Sequence, residues 1–333
     1  MENDVQTVGD ILRAADERLS QGLTAAARTW STGFEVLDTY LSGGLRSGEL
    51  TLLGGPQGLG KTTFALQMLR NAVANGDRAI YFSYEHDSAT VLERLLAMEA
   101  AEAAGLEAVA LRRIREEMQA TTGQSGSLAD RLADLPGGRE AVAAVAGYGD
   151  RLLVHRSTGG ATGVDTVREL VSDASERSGD ALLVVVDYLQ KMHVPSEPEL
   201  EEERVTRIVE GLKDLALNLE IPVLAIVAAD KEGITAGRRL RVHHLRGSSA
   251  LAYEADVVLL MNDKYDVVAR HHLVYDVGNA ERFREWVVVS IEKNRTGLDK
   301  IDLEFRKRFE HARFERDGAA VGERLIDERV FVE

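Results

Sequence analysis

Apolar residues in this chain fall into two spacings. Near-continuous apolar runs recur at 49–54, 78–83, 151–154, 181–186, 222–227 and 256–261. Runs that do not alternate suit strands covered on both faces, and helical spacing between them suits a mostly parallel sheet. From 88 to 150 the chain is rich in Ala, Glu and Arg and reads as helical, with breaks at 121–127 and 136–138. Beyond residue 270 the pattern changes. The runs 272–275, 286–291, 301–305 and 312–314 read as strands with short connections, an antiparallel extension of the same sheet. At the other end, Val8, Ile11, Leu12, Ala15 and Leu19 form one stripe of a helix over 7–20, opened by a capping box from Thr7 to Asp10. A polar joint from Gln21 to Ser31 follows. The expected organisation is a leading helix within 1–30 and an α/β body over 31–333. The stripe must be buried on its own body or on a neighbouring subunit, and the pattern favours neither.

Composition narrows the class. Of 333 residues 44% are hydrophobic, enough for a sizeable core, and none is cysteine, which removes disulfides and thiolate metal sites. No 18-residue apolar stretch and no leader pattern is present, so the cytoplasm is the expected location. The net charge of −15 argues against a surface that coats nucleic acid generally, but leaves room for a local basic channel.

Residues 55–62 then supply chemistry. Gly55, Pro56, Gln57, Gly58, Leu59, Gly60, Lys61 and Thr62 complete a G-x-x-x-x-G-K-[ST] phosphate loop between a predicted strand and a predicted helix opening at Thr63. Glycines let backbone N–H groups face phosphate oxygens. Lys61 is placed to reach the terminal phosphates, and the Thr62 hydroxyl to hold Mg²⁺. Asp187 closes the run Leu182–Val186, at the ligand side of an open α/β sheet, where a carboxylate would hold the metal through water. Glu85 ends the strand 78–83 segment. It reads equally as a base for the attacking water and as an ordinary helix-start glutamate. Lys293 and Arg295 follow a β-like run near Gly297, and by themselves read best as a solvated hairpin tip. Between 231 and 246, Lys231, Arg238, Arg239, Arg241 and Arg246 face only Glu232 in charge, on a segment with Gly233 and Gly237. That local excess makes them nucleic-acid candidates, with a plain surface loop as the alternative. The loop after Asp187, with Glu197, Glu199, Glu201, Glu202 and Glu203, reads as acidic and repellent to nucleic acid.

Taken in order, Ser31-Thr-Gly-Phe-Glu-Val-Leu-Asp38, Gly43-Gly-Leu-Arg-Ser-Gly-Glu-Leu50, Gly60-Lys-Thr-Thr-Phe-Ala65, Phe82-Ser-Tyr-Glu85, Val186-Asp-Tyr-Leu-Gln190, Leu245-Arg-Gly-Ser-Ser249 and Lys293-Asn-Arg295 resemble the RecA-like motor domain of DnaB-type replicative helicases. The resemblance covers about residues 31–315. It implies a RecA-like P-loop NTPase fold, ATP and Mg²⁺ as cofactors, Glu85 as the catalytic glutamate, and Lys293 with Arg295 as cations offered to a neighbouring subunit's nucleotide. It further implies a homo-oligomer, a hexameric ring or a helical filament, and single-stranded DNA as the polymer. Three departures stand out. The family's N-terminal helical domain has no counterpart here beyond the 7–20 helix, which invites a protein partner in its place. Ala228 stands where the family usually carries a γ-phosphate-sensing glutamine, and the first channel loop is acidic. The expected function is a Mg²⁺-dependent ATPase, acting as a helicase or translocase. The alternatives are an ATP-regulated RecA-like scaffold that does not unwind and, less favoured, a small-molecule kinase.

Overall fold

The structure is a computed structural model that describes residues 5–120, 126–196, 200–230, 238–247, 249–274 and 277–327. The apolar runs become strands, almost as bounded in the sequence. A short ribbon pairs β1 (Thr29–Trp30) with β2 (Leu45–Arg46). The main sheet takes β3 (Leu50–Gly55), β4 (Arg78–Ser83), β5 (Leu152–Arg156), β6 (Leu182–Asp187), β7 (Val223–Ala228), β8 (Val257–Asp263), β9 (Trp286–Asn294), β10 (Ile301–Arg308), β11 (Arg313–Phe314) and β12 (Ala319–Ala320). Its order is β11-β10-β9-β8-β3-β7-β6-β4-β5, with β12 on β10. From β8 to β5 the pairings are parallel; β9, β10, β11 and β12 add an antiparallel flank. This is the expected α/β architecture: a mostly parallel central sheet with an antiparallel extension.

Every residue of β3 and β6 is buried, as strands covered on both faces require. One face packs Phe34, Phe64, Phe305 and Phe314 together, with the Phe34 and Phe64 rings stacked at 4.4 Å. The other packs Leu52, Val184 and Val186 against Ile208 and Leu212 of the helix Glu201–Leu219.

Three expectations need correction. Residues 272–275 do not form a strand: His271–Val274 is helical, and Tyr275 lies outside the described residues. The reason is that β8 pairs directly with β9 over Val257–Asp263, leaving no ladder position between them. The acidic 196–203 stretch is not all loop. Glu201, Glu202 and Glu203 form the first turn of a 19-residue helix, where the dipole favours carboxylates; Glu197 and Glu199 lie outside the described residues. The polar joint is also shorter than the expected 21–31, because Trp30 is fully buried in the core.

The leading helix spans Val8–Ser20, capped at Thr7. The Asp10 N–H donates to the Thr7 hydroxyl, and the Thr7 N–H to the Asp10 carboxylate, both at 3.1 Å. None of its residues is buried, and Val8, Ile11, Leu12 and Leu19 are 82%, 53%, 62% and 59% exposed. Among the described residues no helix is long and apolar enough to cross a membrane.

Candidate functional site

The parallel strands β3, β4, β6 and β7 all end on one side of the sheet, and a cavity of about 580 Å³ opens there. β3 ends at Gly55, the loop turns through Gly58 and Gly60, and the helix Lys61–Ala74 departs. Gly60 sits at φ 88°, a left-handed conformation; a Cβ there would stand 2.8 Å from the Phe309 ring. Both facts require glycine.

The Lys61 ammonium donates to the Gly55 and Pro56 carbonyls at 2.6 and 2.9 Å, across the mouth of its own loop. Burial pushes its pKa down, opposed by the Asp187 and Glu85 charges. The Thr62 hydroxyl donates to Asp187 at 2.7 Å, and the Tyr81 hydroxyl donates to the same oxygen at 2.7 Å. Asp187 is buried, and burial raises its carboxyl pKa against the lowering effect of these two donors. A hydroxyl and one carboxylate suit a hard divalent cation that takes its remaining oxygens from water and phosphates. Among the described residues there is no cluster of three or more His, Cys, Asp or Glu that could hold a metal alone. The hydroxyl and carboxylate present fit such a cation when water and phosphate oxygens complete its shell.

Glu85 lines the same cavity from the turn after β4. Ser83 shapes that turn: its hydroxyl donates to the His86 carbonyl at 2.8 Å and accepts from the His86 N–H at 3.0 Å. Burial, then the Arg94 charge, depresses the His86 pKa, which favours a neutral imidazole. The Glu85 carboxylate lies 3.4 Å from the Lys191 ammonium. The loop residues Gln57, Gly58, Gly60, Lys61, Thr62 and Thr63 line the cavity with Glu85 and Asp187.

Two further residues shape this site, and neither carries a role of its own in the sequence. Arg94 lines the cavity, and its guanidinium donates to the Thr63 hydroxyl at 3.2 Å. A lone cation within the apolar run Val91–Met98 was its only signal. Gln190 is buried beside the cavity. Its amide oxygen accepts from the Ala228 N–H at 3.1 Å and its amide nitrogen donates to the Arg246 carbonyl at 2.9 Å. Ala228 itself lines the cavity without a polar side chain.

Lys293 and Arg295 are not gathered into this cavity. Lys293 pairs in register with Val258, and the Arg295 N–H donates to the Asp256 carbonyl, at the end of the sheet where β3 begins. That is roughly 15 Å along the strands from Gly55. The Lys293 ammonium donates to the Ala252 and Tyr253 carbonyls, and burial, then Arg295, lowers its pKa. Arg295 reaches Asp256 at 3.2 Å and also the Tyr253 carbonyl.

The basic segment divides. Lys231 lies outside the described residues. Arg239 is only 6% exposed and pairs with Asp302, with the Ser290 hydroxyl 3.0 Å away, so it is held in the body and cannot meet a strand in this conformation. Arg241 is drawn to Glu292 at 2.7 Å and to Asp327 at 2.9 Å. Arg238 is half-buried. Arg246 is exposed and pairs with Glu201 at 2.8 Å.

Comparison with known proteins follows the same outline. The model of the DnaB-like helicase C terminal domain matches residues 30–136 and 149–316. The replicative DNA helicase DnaB of Pasteurella multocida (strain Pm70) is 28% identical over 288 residues, covering 84% of this chain and 54% of that protein. The same-named protein of Leifsonia xyli subsp. xyli (strain CTCB07) is 29% identical over 234 residues, covering 69% and 46%. The chain thus spans about half the length of the curated relatives it matches. Among solved structures, an isolated ATPase domain superposes with a TM-score of 0.73 at 19% identity, covering 93% of this chain and 99% of that one. A DnaB-like replicative helicase studied with primase gives 0.72 at 18%, covering 93% and 68%.

Proposed function

The chain belongs to the DnaB-like helicase C-terminal domain family, and on that premise we propose that it is a Mg²⁺-dependent ATPase that assembles with copies of itself and moves on single-stranded DNA. The observation that carries the reading is the convergence of Thr62, Asp187 and Glu85 on one cavity at the mouth of the phosphate loop.

In this reading the backbone N–H groups between Gly55 and Thr63, Pro56 excepted, cradle the triphosphate, and Lys61 leaves the Gly55 and Pro56 carbonyls for the terminal phosphates. Thr62 and Asp187 hold the metal, which when bound neutralises charge on the phosphates. Glu85 accepts a proton from water as its oxygen bonds to the terminal phosphorus; the bond to the bridging oxygen breaks, and ADP keeps that electron pair. Lys293 and Arg295 stand at the wrong end of the sheet for their own cavity. They serve the nucleotide of an adjoining copy, with the leading helix docked on a neighbour. Arg246, with Arg238 and Lys231, meets the DNA backbone.

A second reading is favoured by Ala228. With no side chain there to sense phosphate, nucleotide would control assembly without driving movement, as in an ATP-regulated scaffold. ATP turnover measured with and without single-stranded DNA, beside mass measured with ATP, tests both. Turnover that DNA stimulates supports the translocase. Turnover and assembly indifferent to DNA support the scaffold, and absence of turnover sinks the ATPase reading.

A further inference from the structure

Four residues beyond Asp187, at the end of the turn Leu189–Lys191, the chain places an ammonium on the carboxylate that the proposed hydrolysis needs. We propose that Lys191 is a positioning residue that holds Glu85 away from the attacking water until the phosphates of a single DNA strand draw the ammonium off. The inference rests on the ATPase reading above and adds a control to it.

Geometry supports each part. The Lys191 Nζ lies 3.4 Å from the Glu85 Oε1, so it occupies an oxygen that would accept the water's hydrogen. Both side chains are 41% exposed, and a solvent-facing pair of this kind is weak enough to exchange. The same ammonium stands 5.1 Å from the centre of the Tyr188 ring, which lines the cavity, so its alternative positions remain at the cavity mouth. The turn beneath it is fixed. The Lys191 N–H donates to the Tyr188 carbonyl at 3.1 Å, and the Gln190 side chain ties the turn to Ala228 and to the Arg246 carbonyl. Among the described residues Arg246 is the exposed cation of the basic segment, and its carbonyl accepts from Gln190, the neighbour of Lys191, so a strand lying along Arg246 passes beside the turn that carries Lys191. A strand brings many phosphates to one ammonium at high local concentration, whereas Glu85 brings a single carboxylate.

The test uses the full chain, ATP, Mg²⁺ and an oligothymidylate. Lys191→Met should raise kcat without DNA about threefold, the scale of losing one exposed pair. KM for ATP should hold, and stimulation by the oligothymidylate should shrink by the same factor, so the stimulated rates of the two proteins coincide. Lys191→Arg, which keeps the charge, should restore the low basal rate and the full stimulation. Basal turnover of Lys191→Met at or below the unmodified level, or stimulation left intact, overturns the proposal. Glu85→Gln, run in parallel, separates the two layers. If it keeps normal turnover, Glu85 is not the base and the control by Lys191 falls with that role; if it loses turnover while Lys191→Met changes nothing, only the control by Lys191 is wrong.

Discussion

The Thr62 hydroxyl and the Asp187 carboxylate, 125 positions apart in the chain, share a hydrogen bond of 2.7 Å. Parallel pairing brings them together. Thr62 lies in the first turn of the helix after β3, Asp187 ends β6, and β7 lies between those strands. Asp187 also accepts from Tyr81 on β4, so groups from β4 and from the helix after β3 converge on one carboxylate oxygen at the end of β6.

Substitution at this convergence separates binding from turnover. Lys61→Ala should weaken ATP binding at least tenfold, because it removes the cation nearest the loop carbonyls. Glu85→Gln should bind ATP normally and lose turnover about a hundredfold or more, since an amide is a poor base. Fluorescent-nucleotide titration beside a phosphate-release assay checks both.

Asp187→Asn should abolish turnover yet stabilise the nucleotide-free protein. Burial is the largest cause at Asp187 and raises its carboxyl pKa above the unfolded value. Between those two values the native state holds more protons than the unfolded chain. Stability therefore falls as pH rises through that window, and the cost stays constant above it. Lys61 faces the same site and loses an attractive partner in the variant, which offsets part of the gain. A Tm rise of about 2 °C at pH 7, absent below the unfolded carboxyl pKa, is the expected net effect. Scanning calorimetry across pH measures it; an equal rise at every pH would assign the effect to packing.

Removing residues 1–26 should lower the mass of the ATP-bound assembly and leave a folded body that binds nucleotide. The cut spares Arg28, whose guanidinium lies 4.4 Å from the Trp30 ring centre and 2.7 Å from Asp77. A cut at residue 30 would instead remove the buried Trp30, at a cost of about 3 kcal/mol or more. Light scattering and thermal melts distinguish the two. An unchanged mass after the first cut would show that the stripe does nothing for assembly.

Arg239 and Arg246 should part company. Arg239→Ala leaves Asp302 without its buried partner and should cost about 2–3 kcal/mol of stability. Arg246→Ala loses one exposed pair, below about 1 kcal/mol, but should reduce the salt slope of single-stranded DNA binding by about one unit. Denaturant melts and salt-dependent anisotropy read the two effects. A large melt change for Arg246→Ala would reverse their assignment.

What the chain makes legible is what depends on local order. Strands such as Leu182–Asp187 declare themselves because both faces are covered, and the phosphate loop because its spacing is fixed by backbone geometry. Side-chain pairing across the sheet leaves no such trace. Arg239 looks like a loop cation because Ser290 and Asp302 lie 51 and 63 positions away. Glu201, Glu202 and Glu203 look like an acidic loop because no Ser, Thr, Asn or Asp cap marks the helix start; the N-cap is Leu200. Residues 272–275 look like strand because a short apolar run has no period of its own, although His271–Val274 is helical. Lys191 and Arg94 are single cations whose meaning arises only from Glu85 and Thr63.

The placement of Lys293 and Arg295 at the opposite end of the sheet from the phosphate loop has a kinetic consequence. If each cavity is completed by cations of another copy, no isolated chain is a whole catalyst. Rate per molecule then depends on how many molecules share the solution. Turnover should rise more steeply than in proportion to protein concentration until every cavity has a neighbour. Diluting the protein should therefore silence it reversibly, with no inhibitor and no unfolding.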